Sequence, residues 1–341
     1  MIPRLEIHFS LPEQGTFLCG RPYVPEDGEF LLNHARSGIL LSLQATGLPA
    51  GSQVGVMVYN CHTVMNAVAQ AGYKPVFLDV TDGLELDMED LARKAEGLSA
   101  LVVTHLFGIV NDVKRIREMF PGLVIIEDCA HACGLSELSG DFAVFSIGQG
   151  KLPSIGDGGI LLVLNEAFKS RVASLYSALP GYSFSRNTRL FLKMCVWSLM
   201  HAPIVYQWVT LPLKGKRPAP SGKEAITPKR MSRGISAVYA RKRPQIPALI
   251  ELRKKNAREL MAALPAGASC AGVGENAFML VLSCDDPASA KEFFRRKGID
   301  SETHFAHAVD WARGFGYVPG TCPRAERLVG HLLMIPTYRS R

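Results

Sequence analysis

Two acids end an apolar run in VIIEDCAHACG, residues 124–134, and about twenty residues later a lysine stands in a glycine-rich stretch, FSIGQGKLPSIGDGG, residues 145–159. An acid at the end of a buried strand must meet a cation or hydrogen-bond donors, because desolvation otherwise drives it to its neutral form. A lysine among glycines can be approached closely by a ligand. Removed from water near other cations, its amine loses its proton and attacks a carbonyl carbon. Asp128 and Lys151 together suggest a protonated heterocycle facing the acid and an aldehyde joined to the amine. Pyridoxal 5'-phosphate has both features, since its ring draws electrons best when a carboxylate keeps the ring nitrogen protonated. Ser146 could donate its hydroxyl to the phosphate, and N–H groups at a helix start near Arg36 and Ser37 would complete an anion cradle. Plainer readings of the same residues are a helix-capping aspartate and a solvated loop lysine.

Other chemistries fit less well. A nucleotide phosphate loop, GxxxxGK[ST], needs glycine where Phe145 stands and Ser or Thr where Leu152 stands. Cys129, His131 and Cys133 lack paired CxxC spacing, so no metal is expected and small side chains packed under a loop are the reading. The eight scattered cysteines form no disulfide framework. A net charge of +7 favours anionic ligands. The basic groups lie in no recognisable nucleic-acid module, so no nucleic acid is expected. The first residues carry acids and prolines where an export signal needs a basic start and an unbroken apolar run, so a cytoplasmic location is expected.

Positioning Asp128 and Lys151 requires a strand-end scaffold. Between about residues 35 and 165, helix-like and strand-like segments alternate, which predicts a mainly parallel sheet covered by helices, with ligands at the carboxyl ends of its strands. SGILLSLQATGL, HTVMNAVAQAG, DMEDLARKAEG and VKRIREMF read as helices; SQVGVMV, KPVFLDV, ALVVTHLFG, GLVIIED and GGILLVL read as strands. Residues 194–213 then run without an acid, lysine or arginine. Prolines 203 and 212 and the lack of a second such run favour a buried or membrane-apposed amphipathic element over a membrane span. The proline-bearing stretch 215–230 marks a boundary, dividing a large domain, 1–220, from a small C-terminal α+β domain, 221–341.

These residues resemble the DegT/DnrJ/StrS family of pyridoxal-phosphate-dependent sugar aminotransferases. The family's E-D-x-A-[QH] strand end reads here Glu127-Asp128-Cys129-Ala130-His131; its F-S-x-x-x-x-K loop runs from Phe145 to Lys151; its G-[ED]-G-G turn is Gly156-Asp157-Gly158-Gly159. VVTHLFG, RMSRGISAVYA, KGIDSETHF and CPRAERLVGHLLMIPTY resemble further family segments in order, so that roughly 35–341 is covered. The resemblance implies fold type I, an α/β fold whose mainly parallel seven-stranded-type sheet has helices on both faces, with a small C-terminal α+β domain. It implies Lys151 as the Schiff-base lysine and proton carrier, Asp128 on the ring nitrogen, His131 near the ring hydroxyl and Ser146 on phosphate. It further implies a homodimer, an amino-acid donor such as glutamate, and a nucleotide-linked keto-sugar acceptor serving surface-glycan or secondary-metabolite biosynthesis.

Departures accompany the matches. Arg36 replaces the threonine of the family's SGT phosphate segment, and Cys61 falls where many members have a ring-stacking aromatic, leaving Tyr59 or His62 as substitutes. Pro228 replaces an asparagine expected two residues before Arg230, and residues 190–213 are an apolar insertion. Tyr59, His62, His304 and Arg230 are substrate-side candidates; a capping or surface role is the alternative for the histidines. Two other functions stand beside the aminotransferase. One is a sugar dehydratase, against which Lys151 argues, since known dehydratases of the family carry histidine there. The other is a non-catalytic or regulatory relative attached to an envelope-glycan assembly through 190–213, a segment that would also serve a peripheral membrane contact.

Overall fold

The computed structural model describes residues 1–135, 137–214 and 223–338. Seven strands, β1 (Glu29–Leu32), β2 (Gln53–Met57), β3 (Lys74–Leu78), β4 (Leu98–Thr104), β5 (Val124–Asp128), β6 (Phe142–Ser146) and β7 (Gly159–Val163), form one sheet in the order β1-β7-β6-β5-β4-β2-β3. The pairings from β3 through β6 are parallel, β7 is antiparallel to β6, and β1 is antiparallel to β7. This is the expected mainly parallel sheet. Its middle strands are apolar on both faces because helices cover both: Val54, Val56, Met57 and residues 100–103 are buried without alternation.

The covering helices are α1 (Leu11–Cys19), α2 (Ala35–Thr46), α3 (His62–Gln70), α4 (Met88–Lys94), α5 (Val113–Met119) and α6 (Lys169–Ser177). α2 buries Ile39, Leu40, Leu41 and Leu43. It lies so close to β6 that a methyl group at Gly38 would come within 2.9 Å of the Val144 side chain. α4 begins where the sequence places it, Asp87 accepting the backbone N–H groups of Glu89 and Asp90. Two strands of this sheet were not anticipated. β1 is a four-residue EFLL, and β6 is the FAVFS that leads into the lysine loop. β1 is shorter than the strands that were read.

After β7 and α6 comes α7 (Phe184–Met200), followed by α8 (Pro203–Val205), a π-helical turn over Tyr206–Thr210, and α9 (Leu211–Lys214). No helix of the described residues is long and apolar enough to cross a membrane. The proposed domain boundary between residues 220 and 221 lies outside the described residues. Beyond it are α10 (Arg233–Lys242), α11 (Ile246–Met261), β8 (Ala268–Val273), β9 (Met279–Cys284), α12 (Pro287–Arg296), α13 (Ala308–Arg313), α14 (Pro323–Leu328) and β10 (Leu332–Pro336). The last three strands form an antiparallel sheet, β10-β9-β8. One face of it, Leu280, Leu282, Leu333 and Ile335, packs on Phe294 of α12; the other, Met279, Val281, Leu332 and Met334, joins the core of the large sheet. Alternation along β9 and β10 thus ties the small sheet to the large one.

Gly159 shows how tightly the site end is built. A β-carbon there would lie 2.3 Å from the backbone of His34 and Ala35, where α2 begins, and backbone cannot swing aside. Gly159→Ala is expected to destabilise the fold by about 1–3 kcal/mol, read as a lower urea midpoint at unchanged slope.

Candidate active site

The carboxyl ends of β2, β4, β5 and β6 meet in one place. Asp128 ends β5 and is 4% exposed. Its Oδ1 accepts the Ala130 N–H at 3.1 Å, and its Oδ2 accepts the Thr104 hydroxyl at 3.3 Å from the end of β4. Thr104 in turn accepts from Asn60 Nδ2, beyond the end of β2, at 2.8 Å. Burial raises the pKa of Asp128 above the ordinary carboxylate range, against the Ala130 N–H, the Lys151 charge and the Thr104 hydroxyl. A buried carboxylate so placed is stabilised as an anion by an adjacent cation.

Lys151 answers from the loop after β6. Gly150, at φ +67°, turns the backbone there in a conformation that suits glycine, and Leu5 fills the space a side chain would need. The Lys151 N–H donates to the Gly148 carbonyl, and its Nζ lies 5.7 Å from the centre of the Phe278 ring. Burial lowers the amine's pKa, with Cys61 and Asp128 opposing. Lysine and aspartate are therefore both pushed toward neutral forms while attracting each other.

His131 lies flat between Phe107, at 5.3 Å and 21°, and Phe278, at 4.8 Å and 15°. Its Nδ1 accepts the Phe107 N–H at 3.1 Å, which leaves the proton of the neutral ring on Nε2. Burial, then the charge of Lys151, holds its pKa well below the usual value. His304, edge-on to Phe107 and 4.3 Å from the Phe305 ring, is pushed down to about 3, by burial first and then by Arg4 and Lys151.

Ser146 ends β6, its hydroxyl accepting the Gly148 N–H at 3.4 Å. It pairs in register with Gly159, the residue packed on the start of α2. The first turn of α2 thus adjoins Ser146 and carries Arg36. The Ser37 hydroxyl, by contrast, donates to Asn33 at 2.9 Å and serves the turn itself. Cys61 caps α3, its Sγ 3.1 Å from the Thr63 hydroxyl. Burial raises the thiol's pKa, but hydrogen bonds from His62 and Thr63 outweigh it and hold the thiol below its ordinary value.

The remaining candidates are placed differently. Tyr59 is fully buried, its hydroxyl donating to the His304 carbonyl at 2.9 Å, so it is part of the wall. His62 packs edge-on to Trp311 at 4.8 Å. Arg230 is exposed, with its guanidinium beside Gly181 and Tyr176. Asn60, Thr104, Phe107, Phe278 and Phe305 are site residues that sequence reading did not single out. For Asn60 and Thr104 the signal was a polar side chain closing an apolar strand.

One metal-like grouping exists among the described residues, His105, Glu127 and Cys129. Its imidazole and carboxylate donors are already committed. His105 Nδ1 accepts the Asn111 N–H, Nε2 donates to Glu127 at 3.1 Å, and the other Glu127 oxygen accepts the Ser139 and Gly140 N–H groups. Cys133, burial lifting its thiol to about 12, lies elsewhere. Clefts of about 710 Å³ and 600 Å³ lie away from Lys151, so the test of a cofactor is the donor set. That set fits pyridoxal 5'-phosphate: a buried carboxylate for the ring nitrogen, an amine for the aldehyde, an imidazole N–H beside them, and Ser146 with Arg36 for the phosphate.

The architecture is fold type I of the pyridoxal-phosphate proteins. The sugar aminotransferase CalS13 from Micromonospora echinospora aligns with it at a TM-score of 0.75 over 100% of this chain and 96% of that chain, at 17% identity, which establishes the fold. The model of the DegT/DnrJ/EryC1/StrS aminotransferase family matches residues 30–199, and the chain belongs to that family. A GDP-perosamine synthase of Vibrio cholerae is 30% identical over 132 residues, 36% of each chain. A pleiotropic regulatory protein of Geobacillus stearothermophilus is 31% identical over 159 residues, 42% of each chain. The matches therefore span well under half the length of these two relatives.

Two outcomes follow from the titrating groups. His131 and His304 stay neutral in the fold but titrate near 6.5 when unfolded, so the unfolded chain binds more protons below that pH. Stability is expected to be fully present above about pH 6.5 and to fall progressively as pH drops from there toward about 3. Urea midpoints should show that fall, and His304→Gln should flatten it. Second, iodoacetamide near neutral pH is expected to alkylate Cys61 before Cys133, although both are half-buried, because only Cys61 has its pKa lowered. Peptide mass mapping reads the order.

Proposed function

We propose that the chain is a pyridoxal-phosphate-dependent aminotransferase that moves an amino group from an amino acid, glutamate by family resemblance, to a keto-sugar carried on a nucleotide. The observation that carries this reading is the convergence of Asp128, His131 and Lys151 at the carboxyl ends of adjoining strands, with burial holding the amine toward its neutral form. Bound there, the cofactor supplies an aldehyde that takes up an amino group and a ring that takes up the electron pair left when a carbon–hydrogen bond breaks.

The chain's own residues supply the rest. Asp128, fixed by Ala130 and Thr104, accepts the ring N–H and is kept ionised by it. Lys151 Nζ, low in pKa through burial, would hold the cofactor's aldehyde carbon and, as a neutral amine, would be the group able to accept and return a proton there. His131, clamped between two phenylalanines, presents Nε2–H in a fixed direction. Ser146 and Arg36 hold the phosphate, the guanidinium adding a charge-assisted contact that a threonine would not. The net charge of +7 suits a diphosphate-bearing acceptor. Following the family resemblance, the working form is a homodimer with its sites at the interface.

Lys151→Ala is expected to abolish the visible absorbance of the protein-bound cofactor and to lower amino transfer by at least about 10²–10⁴-fold. A variant that keeps the native band at native yield would overturn the lysine's role. A wild-type protein that takes up no cofactor would instead favour the regulatory reading. Screening keto-sugars against the amine-loaded protein identifies the acceptor.

A further inference from the structure

Between Ala167 and Lys223 the sequence has no aspartate or glutamate but nine lysines and arginines, so this segment accounts for the whole positive charge of a chain whose remainder is nearly neutral. Within it, α7 is apolar on two faces. The inner face, Leu190 and Met194, is buried. The outer face exposes Leu192 at 56%, Val196 at 56% and Leu199 at 62%, spaced four and three residues apart on one stripe. Past the break at Pro203, Ile204 and Trp208 are exposed at 77% and 73%, again four residues apart. Arg186, Arg189 and Lys193 are exposed along the first half of α7. A soluble monomer seldom exposes so many large apolar side chains along one element.

We propose that residues 184–213 are a docking face for an anionic lipid bilayer, lying on it without crossing it. Charge decides the occupant. A second copy of the chain would bring the same positive segment against itself, whereas an anionic headgroup layer brings the opposite charge and accepts apolar side chains without shape matching. Exposed tryptophan beside leucine and isoleucine, with basic residues at one end, is the composition of an interfacial helix. The break at Pro203 and the absence of a long apolar helix among the described residues fit an element that lies in the interface plane.

The test sediments the full chain with phosphatidylcholine vesicles containing or lacking phosphatidylglycerol. Binding is expected to the anionic vesicles, to weaken with salt, and to be lowered at least about tenfold by Arg189→Glu with Lys193→Glu or by Leu199→Gln with Trp208→Gln. In the wild-type chain, brominated acyl chains should quench tryptophan emission, and Trp208→Phe should lower that quenching. Failure of the wild-type chain to bind anionic vesicles overturns the proposal. So does unchanged binding by both double variants, or self-association or capture of an acidic protein through these residues with no lipid binding.

Discussion

The structure depends on holding one carboxylate, Asp128, out of water at a strand end while keeping it able to ionise. The two acids that close β5 divide this task because successive strand side chains point to opposite faces. Glu127 turns toward His105 and the Ser139 and Gly140 amides, both of its oxygens engaged within the protein. That brace fixes the ends of β4 and β5 and the turn that leads into β6. Asp128 turns the other way, receives only Ala130 and Thr104, and is left with burial raising its pKa. A fully paired acid next to an under-paired one is an arrangement in which only the second gains from a cationic ligand.

The wall opposite the sheet is built from residues distant in the chain. Phe107 has φ of +54°, a strained conformation for a phenylalanine, and this geometry aims its N–H at His131 Nδ1 while its ring stacks on the imidazole. The next residue, Gly108, leaves room for Asn276, whose amide donates to the carbonyls of His131 and Cys133. Phe278 then closes the other face of the ring and the space over Lys151. The strain at Phe107 persists because packing from the small sheet fixes its surroundings.

These particulars explain which parts were legible in the sequence. Asp128, His131, Ser146 and Lys151 stand in two short segments, and the apolar strand before the first acid announces burial, so both residue types and spacing carried their meaning. The helices were readable because their faces repeat over several turns and their ends carry signals such as Asp87. Phe107, Phe278 and Phe305 carry no such signal, and Asn60 and Thr104 only that of a polar side chain at the end of an apolar strand: each becomes part of the site when the ends of β2 and β4 and the region around β9 are brought together. Tyr59 shows the converse. It stands near the right place in the chain, yet its hydroxyl is spent on the His304 carbonyl. The exposure of the 190–213 insertion was likewise hidden, since an apolar residue is equally apolar on either face of a helix.

That insertion is joined physically to the lysine loop. Leu190 and Met194 of α7 belong to the same core cluster as Ile147 and Ile155, which flank Lys151 on either side, and Met194 reaches within 3.3 Å of where a side chain at Gly156 would stand. Ser198 accepts the Phe9 N–H, and Tyr206 donates to Asp300 at 2.5 Å, binding the element to the N-terminal segment and to the small α+β region as well. An element fixed on its inner face at so many points has little freedom to fold its outer face inward. The exposed stripe is therefore a consequence of geometry: the residues that support the lysine loop use one side of α7, and Leu192, Val196 and Leu199 are left on the other. Whatever covers that stripe is held in a fixed orientation to the loop that carries Lys151, so a surface contact and the candidate active site share one rigid core.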